Sequence, residues 1–159
     1  MNWMKKVAVA LVCLLPLGLQ AAKVDTLQVK SPSMNKSIEV VVVSPDVAAT
    51  KACPVIYLLH GYGGNARTWV GIKPDLPKIA DEKGIFFVCP DGKNTWYWDS
   101  PLNADVRYET FISDELVKYV DSHYKTVADR KGRAITGLSM GGHGAMWNGL
   151  RHSDVFSAA

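Results

Sequence analysis

Gly137-Leu138-Ser139-Met140-Gly141 has the pattern G-x-S-x-G. Its chemistry depends on where the serine sits. On a sharp turn between a strand and a helix, the hydroxyl of Ser139 is thrust outward, provided that its neighbours lack Cβ atoms that would collide, as Gly137 and Gly141 do. The helix that follows turns free backbone N–H groups and a partial positive charge toward the same point, where a developing oxyanion would be stabilised. The competing reading makes Gly141-Gly142 a flexible turn and Ser139 an ordinary helix N-cap.

A second stretch has compatible chemistry. His60-Gly61-Tyr62-Gly63-Gly64-Asn65 follows the apolar run Pro54-Val55-Ile56-Tyr57-Leu58-Leu59, which reads as a strand buried on both faces of a parallel sheet. Ligands gather at the carboxyl ends of such strands. A backbone N–H from this loop, with that of Met140, is placed to form an oxyanion hole; the alternative is a plain strand-to-helix turn. Trp96-Tyr97-Trp98 lies on another loop at the same edge, where aromatic side chains either line an acyl or sugar pocket or cover the core. Asp99 precedes the serine and reads as a loop-ordering acceptor.

These residues require a scaffold of alternating strands and helices. Arg133-Ala134-Ile135-Thr136 is the strand that delivers Ser139, and Gly142 to Leu150 continues as a helix. Val24–Val29 and Ile38–Val43, rich in β-branched residues and joined by Ser31-Pro32-Ser33-Met34-Asn35, predict an entry hairpin. Asp75-Leu76-Pro77 reads as a helix start capped by Asp75, and Lys83-Gly84 as its end. Ile85–Cys89 is the next strand, reached by a right-handed parallel crossover. Tyr108, Phe111, Ile112, Leu116, Tyr119, Val120 and Tyr124 recur at helical spacing, with Glu109, Asp114, Lys118 and Asp121 on the opposite, polar face.

Residues 1–22 are read as a secretory signal peptide, with Lys5 and Lys6 before the apolar run Val7–Leu19 and Ala21-Ala22 at its end. Pro16 and Gly18 and the shortness of the run argue against a spanning anchor, so the expected location is secreted or periplasmic. Residues 23–159 are then one domain. Without Lys5 and Lys6, 16 basic residues face 15 acidic ones and the net charge falls from +3 to +1. No basic stripe argues for nucleic acid, and no metal or cofactor is expected. Cys53 precedes one strand and Cys89 ends another, on the order of 15 Å apart at about 3.3 Å per residue if the strands are parallel neighbours. That is too far for a disulfide, and two free buried thiols are predicted.

In His60-Gly61-Tyr62-Gly63-Gly64-Asn65, Pro90-Asp91-Gly92, Trp96-Tyr97-Trp98-Asp99-Ser100 and Gly137-Leu138-Ser139-Met140-Gly141-Gly142-His143-Gly144-Ala145, the chain resembles the secreted bacterial esterases. That family includes tributyrin esterases, esterase D, feruloyl and acetyl-xylan esterases and the mycobacterial mycolyltransferases. The resemblance covers most of residues 24–159. It implies an α/β-hydrolase fold, a mostly parallel sheet with helices on both faces. It also implies a serine carboxylesterase acting on short acyl or polysaccharide-linked esters through an acyl-enzyme at Ser139. The N–H groups of Tyr62 and Met140 would form the oxyanion hole. Trp96, Tyr97 and Trp98 are the candidate substrate contacts from their place on the loop, not from the resemblance. Acyl transfer by the same chemistry, or a non-catalytic carbohydrate- or protein-binding module on the same scaffold, are the alternatives.

In this fold the acid and histidine of the triad follow the serine, and 20 residues follow Ser139 here. His152 is about 20 Å along the helix axis from Ser139 at about 1.5 Å per residue, and His143 is one turn away on the helix body. Neither is placed as a general base, and His60 and His123 read as structural. The expectation is an amino-terminal part of the domain, truncated after the nucleophile helix and of little turnover by itself.

Overall fold

The computed structural model describes residues 22–159, so the signal-peptide reading lies, but for its last residue, outside the described residues. Five strands form one sheet in the order β1-β2-β4-β3-β5: β1 Lys23–Ser31, β2 Lys36–Ser44, β3 Val55–Leu59, β4 Phe86–Pro90 and β5 Arg133–Gly137. The entry hairpin pairs antiparallel from Lys23↔Ser44 to Ser31↔Lys36. β2 is also antiparallel to β4, whereas β3 runs parallel to both β4 and β5. Four strands therefore share one direction, and β2 alone opposes them.

Strand alternation divides the core into two layers. Val40, Val42, Val55, Tyr57, Leu59, Phe86 and Val88 face one apolar cluster, while Val41, Val43, Leu58, Phe87 and Cys89 face the other. α1 Thr68–Ile72 and α2 Leu76–Lys83 cover the second face through Trp69, Leu76 and Ala80. On the first lie α3 Tyr108–Thr110, α4 Leu116–His123 and α5 Met140–Arg151. Burial on both faces explains why β3 and β4 read as continuous apolar runs.

α2 ends as its sequence indicates, on Gly84 with φ 64°. Its start differs: Asp75 occupies the N-cap position without a side-chain cap, its carboxylate instead taken by Lys73 Nζ at 2.7 Å. Cys53 and Cys89 are both free and buried, in opposite layers of the core. Burial pushes the Cys89 thiol up to about 12.

The helix predicted over Tyr108–Tyr124 is interrupted by a π-helical segment, Phe111–Glu115, between α3 and α4. Asp114 and Lys118 form the exposed i,i+4 pair expected of a polar face. Glu109 and Asp121 depart from that expectation. Glu109 is buried and accepts from Trp147 Nε1 at 2.7 Å, Arg151 Nε at 2.8 Å and His152 Nε2 at 2.9 Å. Asp121 pairs with the buried Arg133 of β5 and accepts from Thr126 Oγ1 at 2.6 Å. Both carboxylates bind residues of other elements rather than facing solvent.

Candidate active site

β5 ends at Gly137 and α5 begins at Met140, so only Leu138 and Ser139 make the turn. Ser139 has φ 55° and ψ −115°, a conformation that costs a non-glycine residue about 1–3 kcal/mol and persists only where its surroundings enforce it. The enforcement is steric. A Cβ on Gly137 would lie 2.3 Å from the Gly141 backbone, and one on Gly141 would lie 2.2 Å from the Leu59 carbonyl oxygen. Leu138 N–H donates to that same oxygen at 3.1 Å. The turn is thus pressed against the carboxyl end of β3. Ser139 is exposed, and its side chain makes no cap hydrogen bond to α5. This removes the reading of Ser139 as an ordinary N-cap and leaves its hydroxyl facing outward.

The glycine loop meets this turn directly. A Cβ built on Gly61 would sit 3.5 Å from Ser139 Cβ and 3.2 Å from the Leu138 oxygen. Gly64 N–H donates to Gly61 O at 3.0 Å, closing a turn with φ 77° at Gly63, as the third position of a type II turn requires. Among the described residues, the N–H groups of Tyr62 and Met140 have no hydrogen-bond acceptor. Met140 contributes the first N–H of α5, where the helix leaves such donors free, and its side chain is buried. The Tyr62 ring is exposed.

Beneath the loop, His60 is buried, with Nδ1 2.7 Å from Gly61 O and Nε2 3.0 Å from Gly92 N. Burial would by itself raise the Asp91 carboxyl nearby. Hydrogen bonds from the Lys93 ammonium and amide outweigh burial and hold it well below the usual carboxylate range.

The three aromatics of the adjoining loop have unequal fates. Trp96 and Trp98 are each 44% exposed, while Tyr97 is completely buried. Tyr97 OH donates to His60 O at 3.0 Å, and Asn148 Nδ2 donates to Tyr97 O at 3.0 Å. Its ring leaves no room for a Cβ on Gly92 or Gly144. Tyr97 is therefore corrected from a substrate-facing residue to a core residue that fixes the loop; φ values of 58° and 59° at Trp96 and Tyr97 turn the outer rings out and this one in. Asp99 behaves as expected, accepting from Thr110 N at 3.1 Å and Thr110 Oγ1 at 2.5 Å.

His143 lies against the exposed rings. Its Nδ1 is 3.2 Å from Trp96 O, its ring meets Trp96 and Trp98 edge-on, and it stacks on Trp147. Trp147 escaped the sequence reading, although its i,i+4 spacing from His143 puts both on one face of α5. His152 is bound to Glu109, and His123 stacks on Tyr119. None of the four described histidines hydrogen-bonds to Ser139.

The family model described as "Putative esterase" matches residues 31–159. This chain belongs to that esterase family. Curated relatives include an esterase of Mycobacterium tuberculosis, 29% identical over 83% of this chain and 30% of its own length, and an acetyl esterase of Caldicellulosiruptor saccharolyticus, 31% identical over 64% of this chain and 37% of its own. A solved ferulic acid esterase superposes with a TM-score of 0.74 at 32% identity, covering 87% of this chain and 61% of that one. The fold is that of the α/β-hydrolase esterases. The chain spans about a third of the length of these curated relatives. Among the described residues, no helix is long and apolar enough to cross a membrane.

Proposed function

We propose that the intact protein is an exported serine carboxylesterase. Ser139 Oγ attacks the ester carbonyl, the N–H groups of Tyr62 and Met140 hold the oxyanion, the alcohol departs, and water then releases the acyl group from the enzyme. The single observation that carries this reading is the enforced backbone of Ser139, exposed at φ 55° where α5 begins and flanked by the Gly61 loop. The proton acceptor and its orienting acid are proposed to come from outside residues 22–159, in keeping with the greater length of the relatives. A short acyl ester or an acyl group on a polysaccharide is the proposed substrate. The exposed Trp96 and Trp98 rings support it, as do the names acetyl esterase and ferulic acid esterase among the relatives. Export rests on the basic and apolar character of the first 22 residues.

The test is hydrolysis of p-nitrophenyl acetate by the intact protein and its Ser139→Ala variant, with fluorophosphonate labelling of both. Loss of turnover by a factor of about 10⁴ or more together with loss of labelling is expected. Unchanged turnover in the variant would refute the assignment, and ligand affinity without labelling of the parent would favour a binding module.

A further inference from the structure

His60 lies next to the proposed oxyanion loop, and the sequence alone gave it only a structural part. Its hydrogen bonds give it more. Gly92 N–H can only donate, so Nε2 at 3.0 Å must accept from it; Gly61 O can only accept, so Nδ1 at 2.7 Å must carry the proton. The opposite tautomer would set a lone pair against a lone pair and a hydrogen against a hydrogen. Asp91 Oδ1 is 3.5 Å from Nε2, too long for a hydrogen bond, and the Asp91 carboxylate is already held by Lys93 N and Nζ.

The group that His60 grips is one half of the peptide whose other half is Tyr62 N–H. In a trans peptide C=O and N–H point in opposite directions. With the Gly61 carbonyl drawn down by the ring and by Gly64 N–H, the Tyr62 N–H is turned away from the ring. The same peptide departs from Gly61, whose Cα passes close enough to Ser139 that an added Cβ would lie 3.5 Å from Ser139 Cβ. The ring itself cannot swing. It is 1% exposed, faces Tyr97 edge-on at 5.7 Å, and lies where a Cβ on Gly64 would come within 2.8 Å of Nδ1.

We propose that His60 is a positioning residue for the oxyanion hole, its buried ring clamping the Gly61 carbonyl so that the Tyr62 N–H is aimed at the space over Ser139. This rests on the esterase reading of Ser139. The ring acts through the peptide and does not touch substrate.

The test uses the intact protein and three substitutions of His60, with one of Gly64. His60→Asn puts an amide N–H where Nδ1 stood, His60→Gln extends its amide toward the Nε2 position, and His60→Phe supplies neither. Turnover of p-nitrophenyl acetate is normalised to the sites titrated by a fluorophosphonate, so that misfolded protein does not count. The Phe and Gln variants are expected to lose kcat by a factor of about 10²–10³, the size of one oxyanion donor, with KM within about twofold. The Asn variant should keep kcat within about tenfold of the parent while melting at a lower temperature, because Gly92 N–H loses its acceptor. Gly64→Ala, which drives a methyl group against Nδ1, should reproduce the kcat loss with His60 still present. Nitrogen-15 NMR of the parent should report the Nδ1–H tautomer.

Equal losses in Asn and Phe, losses explained wholly by fewer titratable sites, or an Nε2–H tautomer would overturn the proposal. If Ser139→Ala is inactive while the His60 variants keep full kcat, only the role of His60 falls. A Ser139→Ala variant with parental turnover would overturn both readings.

Discussion

Adjacent glycines in α5 provide a matched pair of substitutions with opposite expected signs. At Gly141 an added Cβ would lie 2.2 Å from Leu59 O, 2.6 Å from Leu59 C and 2.7 Å from His60 O. A carbon–oxygen contact is comfortable near 3.3 Å, so α5 must retreat from β3 by about 1 Å, and the backbone it meets cannot rotate aside as a side chain would. Overpacking of this kind costs about 1–3 kcal/mol or more, against a helix-propensity gain of at most about 1 kcal/mol. At Gly142 the nearest atom to an added Cβ is Gly137 O at 3.4 Å, an ordinary contact, and only the propensity gain remains. Gly141→Ala is therefore expected to destabilise the intact protein by about 2 kcal/mol, lowering the melting temperature by roughly 6 °C, and Gly142→Ala to leave it unchanged or raise it slightly. The same 1 Å retreat carries Ser139 and Met140 away from the Gly61 loop, and a misplacement of that size costs about 10²-fold in rate. Urea unfolding and the rate of fluorophosphonate labelling measure the two effects. Equal stability of the two alanine variants would refute the steric account of the turn, and parental labelling by Gly141→Ala would show that the backbone there is not what positions the serine.

Two further outcomes are expected. Burial opposes ionisation of Glu109, but Arg151, Trp147 and His152 outweigh it and leave the carboxyl below its ordinary value. A carboxyl depressed in the folded state contributes stability that is fully present above its unfolded value near 4.5 and is lost as pH falls through the folded one. Glu109→Gln should accordingly be about 1–2 kcal/mol less stable than the parent at pH 7, Arg151 being half exposed, and the gap should narrow as pH falls below 4.5; a gap independent of pH would refute the ionic account. Ellman's reagent should leave Cys53 and Cys89 untouched in the native protein and titrate both after denaturation, whereas a native reaction of either would contradict their burial.

The strand, turn and helix around Ser139 were legible in the sequence because local signals agree there: β-branched residues before the turn, and a glycine on either side of it where a Cβ would collide. The two-faced core was legible from β3 and β4 for the same reason. Glu109 and Asp121 were misplaced because a helical wheel shows no partners. At about 100° per residue Glu109 falls between Leu116 and Val120, on the apolar side, and its charge alone assigned it to solvent; its partners Trp147, Arg151 and His152 lie 38 to 43 residues further on. Asp121 pairs with Arg133, on a strand twelve residues away. The aromatic loop has no period to read, and the positive φ values at Trp96 and Tyr97 that direct its rings have no signature in residue type.

The division of labour in that loop bears on how the protein tolerates change. Tyr97 is the anchor: its hydroxyl, carbonyl and ring bind it to the His60 carbonyl, to Asn148 and to two glycines in separate elements. The indoles on either side rest instead at the surface, against His143 and Trp147. Exchange of Trp96 or Trp98 therefore disturbs contacts at the surface, and under the proposed esterase reading the range of esters could drift through them, while the residue between them admits almost no substitution.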